Sequence, residues 1–123
     1  MTGKHIELGK QGEAAAVAFL KKKGYRILEK NFRVAAGEID VIAEHEKAVV
    51  FIEVKTRTGL DFGHPLTAVT RSKQKKLAVL AQSFLAKHKI TRRDCRFDVV
   101  SVIVSGDPNI PPVVELLQDA FRV

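Results

Sequence analysis

An α/β fold with a mixed β-sheet is predicted for this 123-residue chain by three observations. Two segments, about Leu8–Lys23 and Arg71–Lys87, repeat apolar residues at helical spacing. Two runs, Glu38–Glu44 and Ala48–Thr56, alternate at the two-residue period of a strand around a polar turn. The second helical segment separates the run Ala48–Thr56 from another, Arg96–Val104, and a helical crossover of that length joins parallel strands.

In chain order, Met1–Glu7 reads as a short arm. The first helix follows, with Gly12, Ala15, Ala16, Phe19 and Leu20 as its buried stripe. The small residues in its N-terminal half allow another element to approach closely. Lys21, Lys22 and Lys23 suit a last turn, and Gly24 suits the position past it. Glu13 falls one position off the stripe; from the residues alone it reads as a surface carboxylate favoured by the helix dipole. Tyr25–Val34 is the first strand, with Tyr25, Ile27 and Phe32 inward and an irregularity near Glu29–Asn31. Ala35, Ala36 and Gly37 turn the chain.

The stretch Gly37–Arg57, GEIDVIAEHEKAVVFIEVKTR, organises the rest. Alternation places Ile39, Val41 and Ala43 on one face of the second strand, and Glu38, Asp40, Ile42 and Glu44 on the other. The turn is Glu44–Lys47. In the third strand Val50, Ile52 and Val54 face one way; Val49, Phe51, Glu53, Lys55 and Arg57 face the other. If Ala43 pairs with Ala48, Asp40 lies diagonal to Glu53. A shifted register sets Asp40 directly opposite Glu53, about 5 Å away at Cβ. Either way two carboxylates share one small volume, and a cation between them relieves their mutual repulsion. Charged residues flanked by Ile, Val and Phe are improbable as solvated strand residues. A metal site and an internal Glu53–Lys55 ion pair are the two readings these residues leave.

Thr58–Thr70 is a loop onto which Phe62, Leu66 and Val69 pack back. The second helix starts near Arg71 or Ser72, capped by Thr70 or Ser72, and buries Leu77, Leu80, Ala81, Phe84 and Leu85. Its first turns carry Arg71, Lys73, Lys75 and Lys76, with Lys73 and Gln74 nearest the buried stripe. No acidic residue occurs between Asp61 and Asp94, and a one-sided run of this kind suits a phosphate surface. In the fourth strand Asp98 either pairs with an arginine or supports the site from behind it; the structural role is the preferred reading. Ser105–Pro112 is a turn-rich loop, Val113–Leu117 a short edge strand, and Gln118–Val123 a tail left unassigned. One domain spanning 1–123 is expected.

The formal net charge of +7 favours an acidic partner, DNA, RNA or an anionic surface, without choosing among them. The single cysteine, Cys95, permits no internal disulfide, and no Cys/His cluster has zinc spacing. Neither a signal-type N-terminus nor an apolar run of membrane-spanning length is present, so a cytoplasmic protein with no membrane partner is expected. Asp40 and Glu53 supply the oxygen ligands that Mg²⁺ or Mn²⁺ prefers, and the Val54 carbonyl lies between the two active side chains of its strand as a third. Lys55 is placed to orient or deprotonate an attacking water, or to stabilise phosphate charge.

GKQGE at Gly9–Glu13, GEIDVIA at Gly37–Ala43, VVFIEVKTR at Val49–Arg57 and RFDVV at Arg96–Val100 resemble, in order and spacing, the bacterial YraN-type family. That family is similar to the restriction-endonuclease-like PD-(D/E)xK nucleases, and within them to the archaeal Holliday junction resolvases. The resemblance implies a restriction-endonuclease-like α/β/α core, a central mixed sheet flanked by helices on both faces. It implies that Asp40, Glu53 and Lys55 match the superfamily's Asp and Glu-x-Lys motif, and that Glu13 matches a first-helix carboxylate joining the site. Lys73 and Gln74 resemble polar positions that some superfamily members place near the site. From the charge pattern, Arg57, Arg71, Lys73, Gln74, Lys75 and Lys76 are the expected nucleic-acid-binding residues. Ile39 stands where a proline often precedes the motif aspartate. The expected function is a Mg²⁺- or Mn²⁺-dependent endonuclease hydrolysing DNA, on branched or damaged substrates. The alternative is a non-catalytic nucleic-acid-binding protein on the same fold. A domain this small covers few phosphates, so a structured substrate calls for a homodimer or another partner.

Overall fold

The computed structural model describes residues 2–58 and 69–122, and side chains from Leu8 onward. Its elements are α1 (Thr2–Lys22), β1 (Arg26–Val34), β2 (Gly37–His45), β3 (Ala48–Thr58), α2 (Arg71–Lys87), β4 (Cys95–Val104) and β5 (Val113–Phe121). The strands form one five-stranded mixed sheet in the order β1-β2-β3-β4-β5. Only β3 and β4 are parallel, joined through α2; every other neighbour pair is antiparallel. This is the α/β arrangement expected of a restriction-endonuclease-like core.

Among the described residues, each face of the sheet carries one helix and one core. Ala16 and Leu20 of α1 pack with Tyr25, Val41, Ala43, Val50, Ile52, Val100 and Val102. On the other face Leu77, Leu80, Ala81 and Phe84 of α2 pack with Phe32, Ile39, Ile42, Val49 and Phe51. The β3 alternation is as expected, Val50 and Ile52 toward α1, Val49 and Phe51 toward α2. Burying both faces explains why the central strands are almost continuously apolar.

Several expectations are corrected. The segment read as an arm is helical from Thr2, since no proline interrupts it and Gly3 alone does not stop a helix. The β2–β3 turn is tighter than Glu44–Lys47: His45 pairs with Ala48, and Glu46 and Lys47 alone make the turn at φ 50° and 72°. Two positive-φ residues match the right-handed twist of a two-residue hairpin. The register is the shifted one, Ala43 opposite Val50 and Val41 opposite Ile52. Ile39 does not share a face with Val41; it joins the α2-side core with Ile42, so alternation breaks at Asp40. Phe32 likewise faces α2 while Tyr25 and Ile27 face α1, because β1 shifts register between Ile27 and Glu29 and Asn31 adopts φ 55°. The last strand runs on to Phe121, held by pairing with Phe97 and by a stacked Phe97–Phe121 contact at 4.8 Å. Thr70 is the N-cap of α2, its hydroxyl accepting from the Lys73 amide at 3.2 Å. The packing expected of Phe62 and Leu66 lies outside the described residues.

Asp98 has the structural role expected. Its side chain is fully buried and accepts from the Arg96 guanidinium at 2.8 and 2.9 Å, the Tyr25 hydroxyl at 2.6 Å and the Asp119 amide at 2.9 Å. The partners fill all the acceptor positions that a buried carboxylate requires.

Candidate metal centre

At the end of the β2–β3 pairing the ladder stops and side chains take over. The last pair is Val41 with Ile52. Beyond it Asp40 Oδ2 accepts the backbone amide of Val54 at 2.8 Å. A side-chain carboxylate thus replaces a strand carbonyl as the acceptor for β3.

α1 brings a second carboxylate. Gly12 lies directly against Thr56 of β3; a Cβ there would overlap the threonine hydroxyl. Only glycine allows this approach, and it sets the neighbouring Glu13 over the end of β2. One oxygen each from Glu13, Glu38 and Asp40 lie within 4.8 Å of one another. The Asn31 amide bridges two of them: oriented with its nitrogen toward the carboxylates, it donates to Glu13 and to Glu38, both at 2.7 Å. Together with Gly9, Lys10, Val54 and Thr56 these groups line a cleft of about 370 Å³.

Crowding and burial appear in the titration of Asp40. Its pKa is pushed up to about 7, chiefly by burial and further by the charges of Glu53, Glu13 and Glu38, against the opposing Val54 hydrogen bond. The donor set is all oxygen, which fits a hard divalent cation, and a positive ion there removes the repulsion that raises Asp40.

Glu53 and Lys55 lie on the α2 face of β3, with Val54 toward α1 between them. Glu53 Oε1 is 2.8 Å from Lys73 Nζ of α2, with the glutamate side chain 12% exposed and the lysine 48%. Lys55 is pulled below its ordinary pKa by burial and by the nearby charges of Lys73 and Arg57, with Glu53 opposing. Arg71, Lys75 and Lys76 are exposed along the start of α2, and Arg57 is half-buried on β3. Lys76 lays its stem over Gly37, whose φ of 150° and lack of a side chain leave room for it. The Gln74 amide donates to the Val69 carbonyl at 3.0 Å.

The structure therefore brings Glu13 and Asp40 together, leaves Glu53 with Lys73 instead of in the same cluster, and adds Glu38 and Asn31, which the sequence reading did not place in the site. Glu38 carried a signal: it shares the Asp40 face at a spacing of two. Asn31 carried a weaker one, being the residue type most tolerant of positive φ within a stretch already read as irregular. Among the described residues, the carboxylates close enough to share one ion are Glu13, Glu38 and Asp40.

Comparison with known proteins gives a consistent result. The model of an uncharacterised protein family, UPF0102, matches residues 12–102. A UPF0102 protein of Chloroherpeton thalassium is 45% identical over 123 residues, covering 96% of this chain and 95% of its own length. One from Prosthecochloris aestuarii is 49% identical over 100 residues, covering 81% and 79%. One from Geobacter metallireducens is 43% identical over 116 residues, covering 94% and 93%.

Proposed function

We propose that this chain, which belongs to the uncharacterised protein family UPF0102, is a metal-dependent endonuclease that hydrolyses phosphodiester bonds of DNA, with branched or damaged DNA as the substrate class. The observation that carries the reading is the convergence of Glu13, Glu38 and Asp40 within 4.8 Å beside the Glu-x-Lys strand.

Glu13, Glu38 and Asp40, with the Val54 carbonyl, would hold Mg²⁺ or Mn²⁺, and Glu53 would join them only on release from Lys73. That ion, when bound, supplies charge for the phosphate oxygens and acidifies a water. The protein's own groups do the rest. Asn31 spaces Glu13 and Glu38. The Val54 amide fixes one Asp40 oxygen, and Asp40 lines the cleft. Lys55, its ammonium weakened by burial and like charge, is suited to orient the attacking water or to take its proton. Arg57, Arg71, Lys73, Lys75 and Lys76 supply cations for the backbone of the substrate.

One observation favours the second reading, a nucleic-acid-binding module without catalysis: Lys73 already neutralises Glu53. Purified protein incubated with labelled duplex, single strand, flap and four-way junction, each with Mg²⁺, Mn²⁺ or EDTA, separates the two. Metal-dependent cutting lost in both Asp40→Ala and Lys55→Ala supports the nuclease. Equal binding by wild type and variants with no cutting supports the module.

A further inference from the structure

A second concavity, of about 400 Å³, lies between α1 and β1 beside the carboxylate cleft. Both depressions are lined by Lys10, Glu13 and Asn31, so one runs into the other. Its floor is the outer edge of α1, Ala14, Val17 and Ala18, and its borders carry Lys10, Lys21 and Lys30, all exposed. Glu13 is the one acidic group among its lining residues, at the end that opens into the carboxylates.

Position follows from helical spacing. Residues 10, 14, 17, 18 and 21 fall along one stripe of α1, and Lys10 to Lys21 spans about 16 Å of helix axis. Along one strand of a duplex that rise carries four to five phosphates. The basic start of α2 lies on the opposite face of the sheet, and reaches the site through the Lys73–Glu53 pair. The carboxylates therefore stand between two separate basic borders.

We propose that the α1–β1 groove carries the nucleic-acid backbone on the far side of the scissile phosphate from α2. Lys10, Lys21 and Lys30 meet phosphates, and the alanine and valine floor meets the sugars. A strand held on both sides of the site is cut internally rather than from an end. The assignment rests on the nuclease reading for the position of the scissile bond, but the binding it asserts is measurable without cleavage.

Fluorescence anisotropy of labelled duplex and single-stranded DNA, in EDTA across a range of KCl, tests it. The triple substitution Lys10→Gln, Lys21→Gln, Lys30→Gln is expected to weaken binding about tenfold or more at ~0.1 M salt. The slope of log K against log salt should shrink by about two to three, at roughly 0.7–0.9 per lost contact. Ala18→Glu, a floor change that leaves the lysines in place, should weaken binding in the same direction; circular dichroism melts check that both variants fold. Wild-type affinity and slope in the triple variant overturn the groove, and if Lys75→Gln with Lys76→Gln abolishes binding, the nuclease reading survives that loss. Binding that depends on the groove lysines, in a protein that cuts nothing with Mg²⁺ or Mn²⁺, keeps the groove as a binding surface and removes the nuclease. A wild type that binds no nucleic acid overturns both.

Discussion

The backbone amide of Val54 donates to Oδ2 of Asp40 at 2.8 Å, where the β2–β3 ladder ends. That bond holds the carboxylate in a half-buried position among three others, and its pKa stands at about 7 against 3.8 for a free aspartate. Between about pH 4 and pH 7 the folded chain therefore binds more protons than the unfolded one. Stability falls through that window as pH rises, and Asp40 adds nothing further above it. Asp40→Asn is expected to leave stability near pH 4 unchanged and to raise it at pH 8 by about 1–3 kcal/mol in the absence of divalent ions. Added Mn²⁺ should raise the melting temperature of the wild type at pH 8, by linkage, and not that of Asp40→Asn. Parallel stability–pH curves for the two proteins would refute the assignment.

Lys73 and Glu53 make the opposite kind of contact, an attraction that a metal has to replace. Their 2.8 Å ion pair fills a carboxylate that the nuclease reading gives to the cation. Lys73→Met removes the competitor, so Mn²⁺ alone should bind several-fold more tightly by calorimetry. The same variant should bind DNA more weakly in EDTA, since one phosphate cation is gone. Unchanged metal affinity would mean that Glu53 takes no part in the ion's site.

How far the site was legible depends on the range of each contact. The alternation of β3 depends on neighbours in sequence, and it placed Val50, Ile52, Glu53 and Lys55 on their correct faces. Glu38 was equally legible, two residues from Asp40, yet its partner Asn31 lies on another strand and gave no periodic signal. The break at Ile39 was hidden because its cause is long-range: Asp40 turns to the Val54 amide instead of continuing the alternation. The pair Lys73–Glu53 joins a helix to a strand across the loop between them, and only the packing of α2 on that face sets it. β5 was underestimated for the same reason. Its second half is polar and irregular, with Asp119 at φ 52°, and is held by Asp98 from the neighbouring strand.

Gly12 tests whether the closeness of α1 to β3 matters. A Cβ at this position would overlap the Thr56 hydroxyl and lie 2.8 Å from Thr56 Cβ. Gly12→Ala is expected to cost about 1–3 kcal/mol as an overpacked contact, measured by urea unfolding. Since α1 must then move away, Glu13 withdraws from Glu38 and Asp40, and Mn²⁺ affinity should fall as well. Thr56→Ala in the same chain removes the hydroxyl and methyl but not the Cβ, so it should restore part of the stability and not all. Full stability in Gly12→Ala alone would show that the helix does not need this approach.

Asp98 provides the control, a buried carboxylate whose charge is already fully engaged. Arg96, Tyr25 and the Asp119 amide hold it, and the Tyr25 hydroxyl also accepts from Arg96 and from the Gln118 amide at 2.9 and 3.0 Å. Burial, reinforced by the Asp98 hydrogen bond, pushes the Tyr25 pKa up to about 12, so Tyr25 keeps its proton throughout the neutral range. Asp98→Ala leaves a half-buried guanidinium and a buried phenol without their acceptor, and the expected loss is about 3–5 kcal/mol. Tyr25→Phe removes one donor to Asp98 and the acceptor for Arg96 and Gln118, and should cost about 1–3 kcal/mol. Neither residue lines the carboxylate cleft, so Tyr25→Phe should bind Mn²⁺ with wild-type affinity at a temperature where it is folded. A loss of metal binding in Tyr25→Phe comparable to that in Asp40→Asn would mean that the two acidic centres are coupled through the sheet.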